Sequence, residues 1–104
     1  MLQIFKHRCN DLESLHQCQK HWGVEIDLRS HTHNPEDLYL SHDPWNEGES
    51  FKIWLKEWVR LGIQGPIILN TKEDGLEALI LDLLQKHSIN SFIFLDTTLP
   101  TLKK

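Results

Sequence analysis

Val24-Glu25-Ile26-Asp27-Leu28 alternates apolar with acidic residues, the two-residue period of a strand that buries one face. Gly23 precedes it and ends a helix expected over 11–21, where Leu12, Leu15, Cys18 and Trp22 recur at helical spacing. Upstream of that helix, 2–6 reads as a short strand. Downstream, a polar loop over 30–36 containing Asn34-Pro35 leads to a further strand at 37–41. Only about ten residues separate Asp27 from Asp37, too few for a parallel crossover with its helix. The two strands are therefore expected to form a hairpin rising above the sheet. With its turn centred between Asn34 and Pro35, Asp27 stands opposite His42, and Glu25 shares that face.

The rest of the chain continues the alternation. Residues 47–50 form a break, and Phe51, Trp54, Leu55 and Trp58 mark one face of an amphipathic helix ending near Gly62. Ile67-Ile68-Leu69, after Gly65-Pro66, reads as a strand buried on both faces. Asp74 and Glu77 resemble a capping box for a helix carrying Leu76, Leu79, Ile80, Leu83 and Leu84 on one side. Residues 91–95 form the last apolar strand, ending in Asp96. The predicted order is β-α-β-β-α-β-α-β, an α/β chain with a largely parallel sheet and helices outside it.

The 104 residues fit one domain, with 11 basic against 15 acidic residues and a net charge of -4. No basic stripe is present, so the electrostatic footprint of a nucleic-acid binder is missing. The N-terminal stretch is charged by Lys6, unlike a signal peptide, and no apolar run approaches the roughly 20 residues of a membrane span. The expected compartment is the cytoplasm. Cys9 and Cys18 do not make a disulfide framework.

Four polar clusters sit where predicted strands run out: His7-Arg8, Glu25-x-Asp27, His42-Asp43 and Asn70-x-Lys72. Chemistry collects at the C-terminal ends of strands in parallel α/β sheets. Two carboxylates at i, i+2 can aim at one hard divalent cation such as Mg2+. His7 and His42 are candidates for general acid and base, because imidazole titrates near neutral pH. Arg8 and Lys72 offer fixed positive charge to a phosphate, one as a fork and one as a point charge.

In this set and order the residues resemble the glycerophosphodiester phosphodiesterases and the wider phosphatidylinositol-phospholipase-C-like phosphodiesterases. His7-Arg8 stands at the family's His-Arg-Gly, Glu25-Ile26-Asp27 at its Glu-x-Asp, His42-Asp43 at its His-Asp, and Asn70-Thr71-Lys72 at its Glu-x-Lys. The resemblance implies a TIM-barrel scaffold and one divalent cation, Mg2+ or Ca2+, held by Glu25, Asp27 and Asn70. It implies His7 and His42 as catalytic acid and base, and Arg8 and Lys72 on the substrate phosphate. A hydroxyl beside the phosphodiester would attack phosphorus to give a cyclic phosphate, which water later opens. The implied substrate is a small-molecule or lipid-derived phosphodiester.

Three departures qualify the likeness. Cys9 replaces the glycine after His-Arg, Asn70 replaces a metal carboxylate, and a closed barrel of about 250 residues far exceeds this chain. The expected fold is therefore the N-terminal half to two-thirds of a (β/α)8 barrel, one incomplete domain over 1–104. Its last strand would present an open apolar edge prone to self-association.

Other readings of the same residues are a catalytically inactive fragment or an interaction module presenting Trp45, Trp54 and Trp58. His31-Thr32-His33 resembles the metal motif of PHP-type phosphoesterases, and His7, Cys9, Cys18 and His21 are ligand types that suit zinc. Packing is the plainer account of Cys9 and Cys18.

Overall fold

The computed structural model of the protein describes residues 4–30, 37–43, 48–73 and 75–96. The elements in chain order are β1 (Phe5–Lys6), α1 (Leu12–His16), β2 (Gly23–Ser30), β3 (Leu38–Leu40), β4 (Glu49–Ser50), α2 (Phe51–Leu61), β5 (Ile67–Thr71), α3 (Glu77–Lys86) and β6 (Phe92–Asp96).

Local chemistry accounts for the helix limits. Asp11 caps α1 by accepting from the Ser14 amide at 2.7 Å. The helix ends at His16, short of the expected 11–21, because the Gln17 and Cys18 amides turn to the carbonyls of Ser14 and Leu15, tightening the chain to three-residue spacing. In α2 the Ser50 hydroxyl caps the Ile53 amide, and Gly62 closes the helix in the left-handed conformation at φ 71°. The third helix starts at Glu77 after Leu76, with no side-chain cap. Asp74 of the expected capping box lies outside the described residues, as do His31-Thr32-His33 and Trp45.

Six strands form one mixed sheet in the order β4-β3-β2-β5-β6, with β1 paired to β2 off that path. The β1–β2, β2–β5 and β5–β6 pairs are parallel, whereas β2–β3 and β3–β4 are antiparallel. The expected (β/α)8 half-barrel is therefore not what this chain forms. A barrel segment is all-parallel with a helix after each strand. Among the described residues three helices serve six strands, and none of them lies between β2 and β3. The reason lies in the short connection after β2. It forces the chain back antiparallel, and β3 takes the hydrogen-bonding edge of β2 over Leu28–Ser30.

The hairpin register also differs from expectation by one residue. Leu28 pairs with Leu40, and the Ser41 amide donates to the Asp27 carbonyl at 3.0 Å. Ser41, not His42, stands opposite Asp27.

The two faces of the sheet differ sharply. Val24, Ile26, Leu28, Ile67 and Leu69 are fully buried in one apolar cluster with Leu15 of α1, Phe51, Trp54 and Leu55 of α2, and Ile80 and Leu84 of α3. The expected apolar face of α2 is thus the core face, and Trp54 and Trp58 are core rather than surface residues. The opposite face carries Glu25 and Asp27 of β2, Ile68 and Asn70 of β5, and Ile93 and Leu95 of β6. Ile68 is only half-buried and Ile93 and Leu95 are exposed, so β5 is not covered on both sides as its composition implied. Gly23 is required where β1, β2 and β5 converge. A Cβ there would lie 2.5 Å from the Phe5 ring and 2.9 Å from the Pro66 carbonyl. Among the described residues no helix is long and apolar enough to cross a membrane.

Candidate functional site

The site lies on the sheet face opposite the helices, at the C-terminal end of the parallel strands. Alternation along β2 sends Val24, Ile26 and Leu28 into the core and leaves Glu25 and Asp27 on the other side. Asn70 is the ladder partner of Asp27 on β5, and paired residues on neighbouring strands share a face. Asp27 is 1 % exposed and Asn70 7 % exposed. The Asn70 Oδ1 is buried with no hydrogen-bond partner among the described residues. A buried polar atom left unsatisfied costs about 1–3 kcal/mol.

Each expected cation and imidazole is found against another member of the set. His7 Nδ1 lies 2.9 Å from Glu25 Oε1. An ionised carboxylate only accepts, so Nδ1 is the donor. The Arg8 guanidinium donates to His42 Nε2 at 3.1 Å, which assigns the lone pair of His42 to Nε2 by the same logic. Lys72 Nζ stands 3.5 Å from Asp27 Oδ1. The seven predicted residues therefore fall into three contact groups, His7 with Glu25, Arg8 with His42, and Lys72 with Asp27 and its ladder partner Asn70; the hairpin register that was expected to bring His42 opposite Asp27 is not present.

What replaces that register is a side chain the sequence reading passed over. Arg29 Nε donates to the Ser41 carbonyl at 3.1 Å and its terminal nitrogen to the His42 carbonyl at 2.9 Å. The Ser41 hydroxyl bridges within the same turn, donating to the Asp43 carbonyl at 2.8 Å and accepting from the Asp43 amide at 3.2 Å. These bonds bring His42 off the end of β3 toward Arg8. Arg8 itself has φ 51°, a left-handed backbone that costs a non-glycine residue roughly 1–2 kcal/mol. Arg29 continues the Glu25, Asp27 alternation, which is the signal that would have revealed it.

Asn10 is the second residue missed. Its side chain accepts from the Asp27 amide at 2.9 Å and donates to Asp27 Oδ2 at 3.0 Å. Glu73 is the third, taking the Ser30 amide at 3.2 Å and the Ser30 hydroxyl at 2.6 Å where β2 ends.

Cys9 does not intrude on this face. Its side chain is fully buried in the core cluster, its amide donates to the Glu25 carbonyl at 2.8 Å, and its carbonyl accepts from Trp54 Nε1 at 3.0 Å. Burial, reinforced by Cys18, pushes the Cys9 thiol up to about 12, which is the opposite of what a zinc thiolate needs. Both cysteines are free.

Among the described residues no group of three or more His, Cys, Asp and Glu side chains converges to hold a metal ion. The oxygen set of Glu25, Asp27 and Asn70 is different in kind, two carboxylates and an amide. Oxygen donors of this kind are what a hard divalent cation takes; Asn70 Oδ1 is buried and without a partner among the described residues, whereas Asp27 Oδ1 faces Lys72 Nζ at 3.5 Å and Oδ2 accepts from Asn10. Comparison with protein-family models, with curated proteins and with solved structures returned no match.

Proposed function

We propose that the chain is a divalent-cation-dependent phosphodiesterase in which His7 and His42 are the catalytic acid and base. The observation that carries this reading is the buried, unpartnered Asn70 Oδ1 facing out from the ladder position opposite Asp27. The likeness of the four motifs to the glycerophosphodiester phosphodiesterases supports the same chemistry.

Asp27, Asn70 and Glu25 would hold the cation, which when bound supplies electrostatic stabilisation to the phosphoryl oxygens. Glu25 keeps a second oxygen for that purpose, since only Oε1 faces His7. One imidazole takes the proton of a substrate hydroxyl as that oxygen attacks phosphorus, and the other gives a proton to the departing oxygen. The roles reverse when water opens the cyclic phosphate. Arg8 and Lys72 neutralise the phosphate, and Arg8 in turning to the phosphate frees the His42 Nε2 lone pair to take a proton. His7 is exposed, so the substrate approaches from bulk solvent. The substrate class is a phosphodiester with a neighbouring hydroxyl.

The test is release of nitrophenolate from hydroxypropyl p-nitrophenyl phosphate by the full chain with Mg2+ or Ca2+. His7→Ala and His42→Ala should each lower the rate roughly 10²- to 10⁴-fold with an unchanged circular dichroism spectrum. Retention of the parent rate by both variants would overturn the assignment.

A further inference from the structure

The sheet ends differently at its two sides. At one side stands β4, only Glu49 and Ser50, and a short edge carrying a charge is kept from pairing with another chain. At the other side β6 runs along β5 for five residues, and among the described residues no strand pairs with its outer side. From Phe92 to Leu95 this edge has no charge, no proline and no glycine, so it lacks those protections. The Ile67 amide donates to the Ser91 carbonyl, so Ser91, Ile93 and Leu95 turn their backbone groups toward β5. By alternation Phe92, Phe94 and Asp96 turn theirs outward. Ile93 is 56 % exposed and Leu95 42 % exposed, on the face away from the helices.

We infer that the outer edge of β6 pairs with β6 of a second copy of this chain, antiparallel about a two-fold axis at Phe94. A row of open amides and carbonyls is met by a strand, not by a lipid or a small molecule. The strand is complementary to itself. Its middle residue, Phe94, is one that points its backbone outward, so a two-fold axis there uses all of Phe92–Asp96. Only antiparallel pairing does this, because directly opposed residues then exchange both hydrogen bonds, as Phe94 would with its own copy. In that register Ile93 faces Leu95 of the second copy on both sides of the axis, with Cα atoms about 4.5 Å apart. The two exposed side chains thereby cover each other. The inference is independent of the phosphodiesterase reading.

The test is sedimentation equilibrium of the full chain over a concentration series, beside amide hydrogen exchange. The mass should double as concentration rises, the melting temperature should rise with it, and exchange of the Phe92 and Phe94 amides should slow in step. Ile93→Lys combined with Leu95→Lys sets like charges opposite one another across the axis. That variant should remain a single chain, with an unchanged circular dichroism spectrum and fast exchange at Phe92 and Phe94. A parent chain that stays single throughout would overturn the inference. So would pairing that survives in the variant, or assembly that grows past two chains. Slow exchange at Phe94 at every concentration would also overturn it, because the edge would then be covered from within the chain.

Discussion

Asp27 and Asn70 face each other across the parallel β2–β5 ladder, a buried carboxylate beside a buried amide whose oxygen has no partner. The Asn70 oxygen is the atom that the proposed cation would satisfy. Divalent cation should therefore stabilise the folded chain, by about 2.7 kcal/mol at a hundredfold excess over Kd, read as a rise in melting temperature of several degrees. Asn70→Leu should be at least as stable as the parent without cation and should lose that rise. Equal rises in both chains would disconnect Asn70 from the cation.

Asn70→Asp provides a complementary test of sign. Without cation, a second carboxylate opposite Asp27 adds like-charge repulsion in a buried place and lowers stability. With cation, the added charge tightens binding. The variant should therefore be less stable than the parent in chelator and show a larger cation-induced rise in melting temperature. A variant unaffected by chelator would contradict this.

Trp54 links the core to the site. Its indole N–H donates to the Cys9 carbonyl, so α2 anchors the segment that carries His7, Arg8 and Asn10. Trp54→Phe keeps most of the apolar volume and leaves that carbonyl without its partner, at a cost of about 1–3 kcal/mol. Urea unfolding should register that loss, and activity should fall further than stability alone explains. A neutral effect on both would show that the bond does not anchor the segment.

Glu57 on α2 sets an acid limit on the outer surface. Hydrogen bonds from Arg60 and then His16 hold its carboxyl at about 2, well below the ordinary 4.5. A carboxyl depressed on folding contributes stability above its unfolded value, and the contribution is lost as pH falls through the folded value. Carboxyl carbon NMR should find Glu57 still ionised at pH 3, with the fastening of α1 to α2 failing as it protonates nearer pH 2. Titration of Glu57 near its ordinary value would contradict the bonded arrangement.

Much of this was legible in the sequence, and the failures have physical causes. The alternation through Val24–Leu28 placed Glu25 and Asp27 on one face because a two-residue period leaves no other choice. Phe51, Trp54, Leu55 and Trp58 marked the buried stripe of α2 for the same kind of reason. The half-barrel expectation failed, because strand direction depends on how β3 competes for the edge of β2, which local pattern does not encode. The hairpin register slipped by one residue because it was inferred from a turn centre, whereas Leu28 and Leu40 pair through burial. Asn10 was missed because its partner is a residue distant in sequence, a bond that no motif spacing reports. Arg29 shares the alternation of Glu25 and Asp27, but its partners, the Ser41 and His42 carbonyls, depend on the hairpin register.

The most direct measurement of the central claim is phosphorus NMR of a glycerol-containing phosphodiester incubated with the full chain and a divalent cation. A cyclic phosphate resonance should grow before the monoester, should require the cation, and should be lost in Asp27→Asn and His42→Ala. Absence of any cleavage with either Mg2+ or Ca2+, or undiminished cleavage by His42→Ala, would contradict the assignment of this sheet face as a phosphodiesterase site.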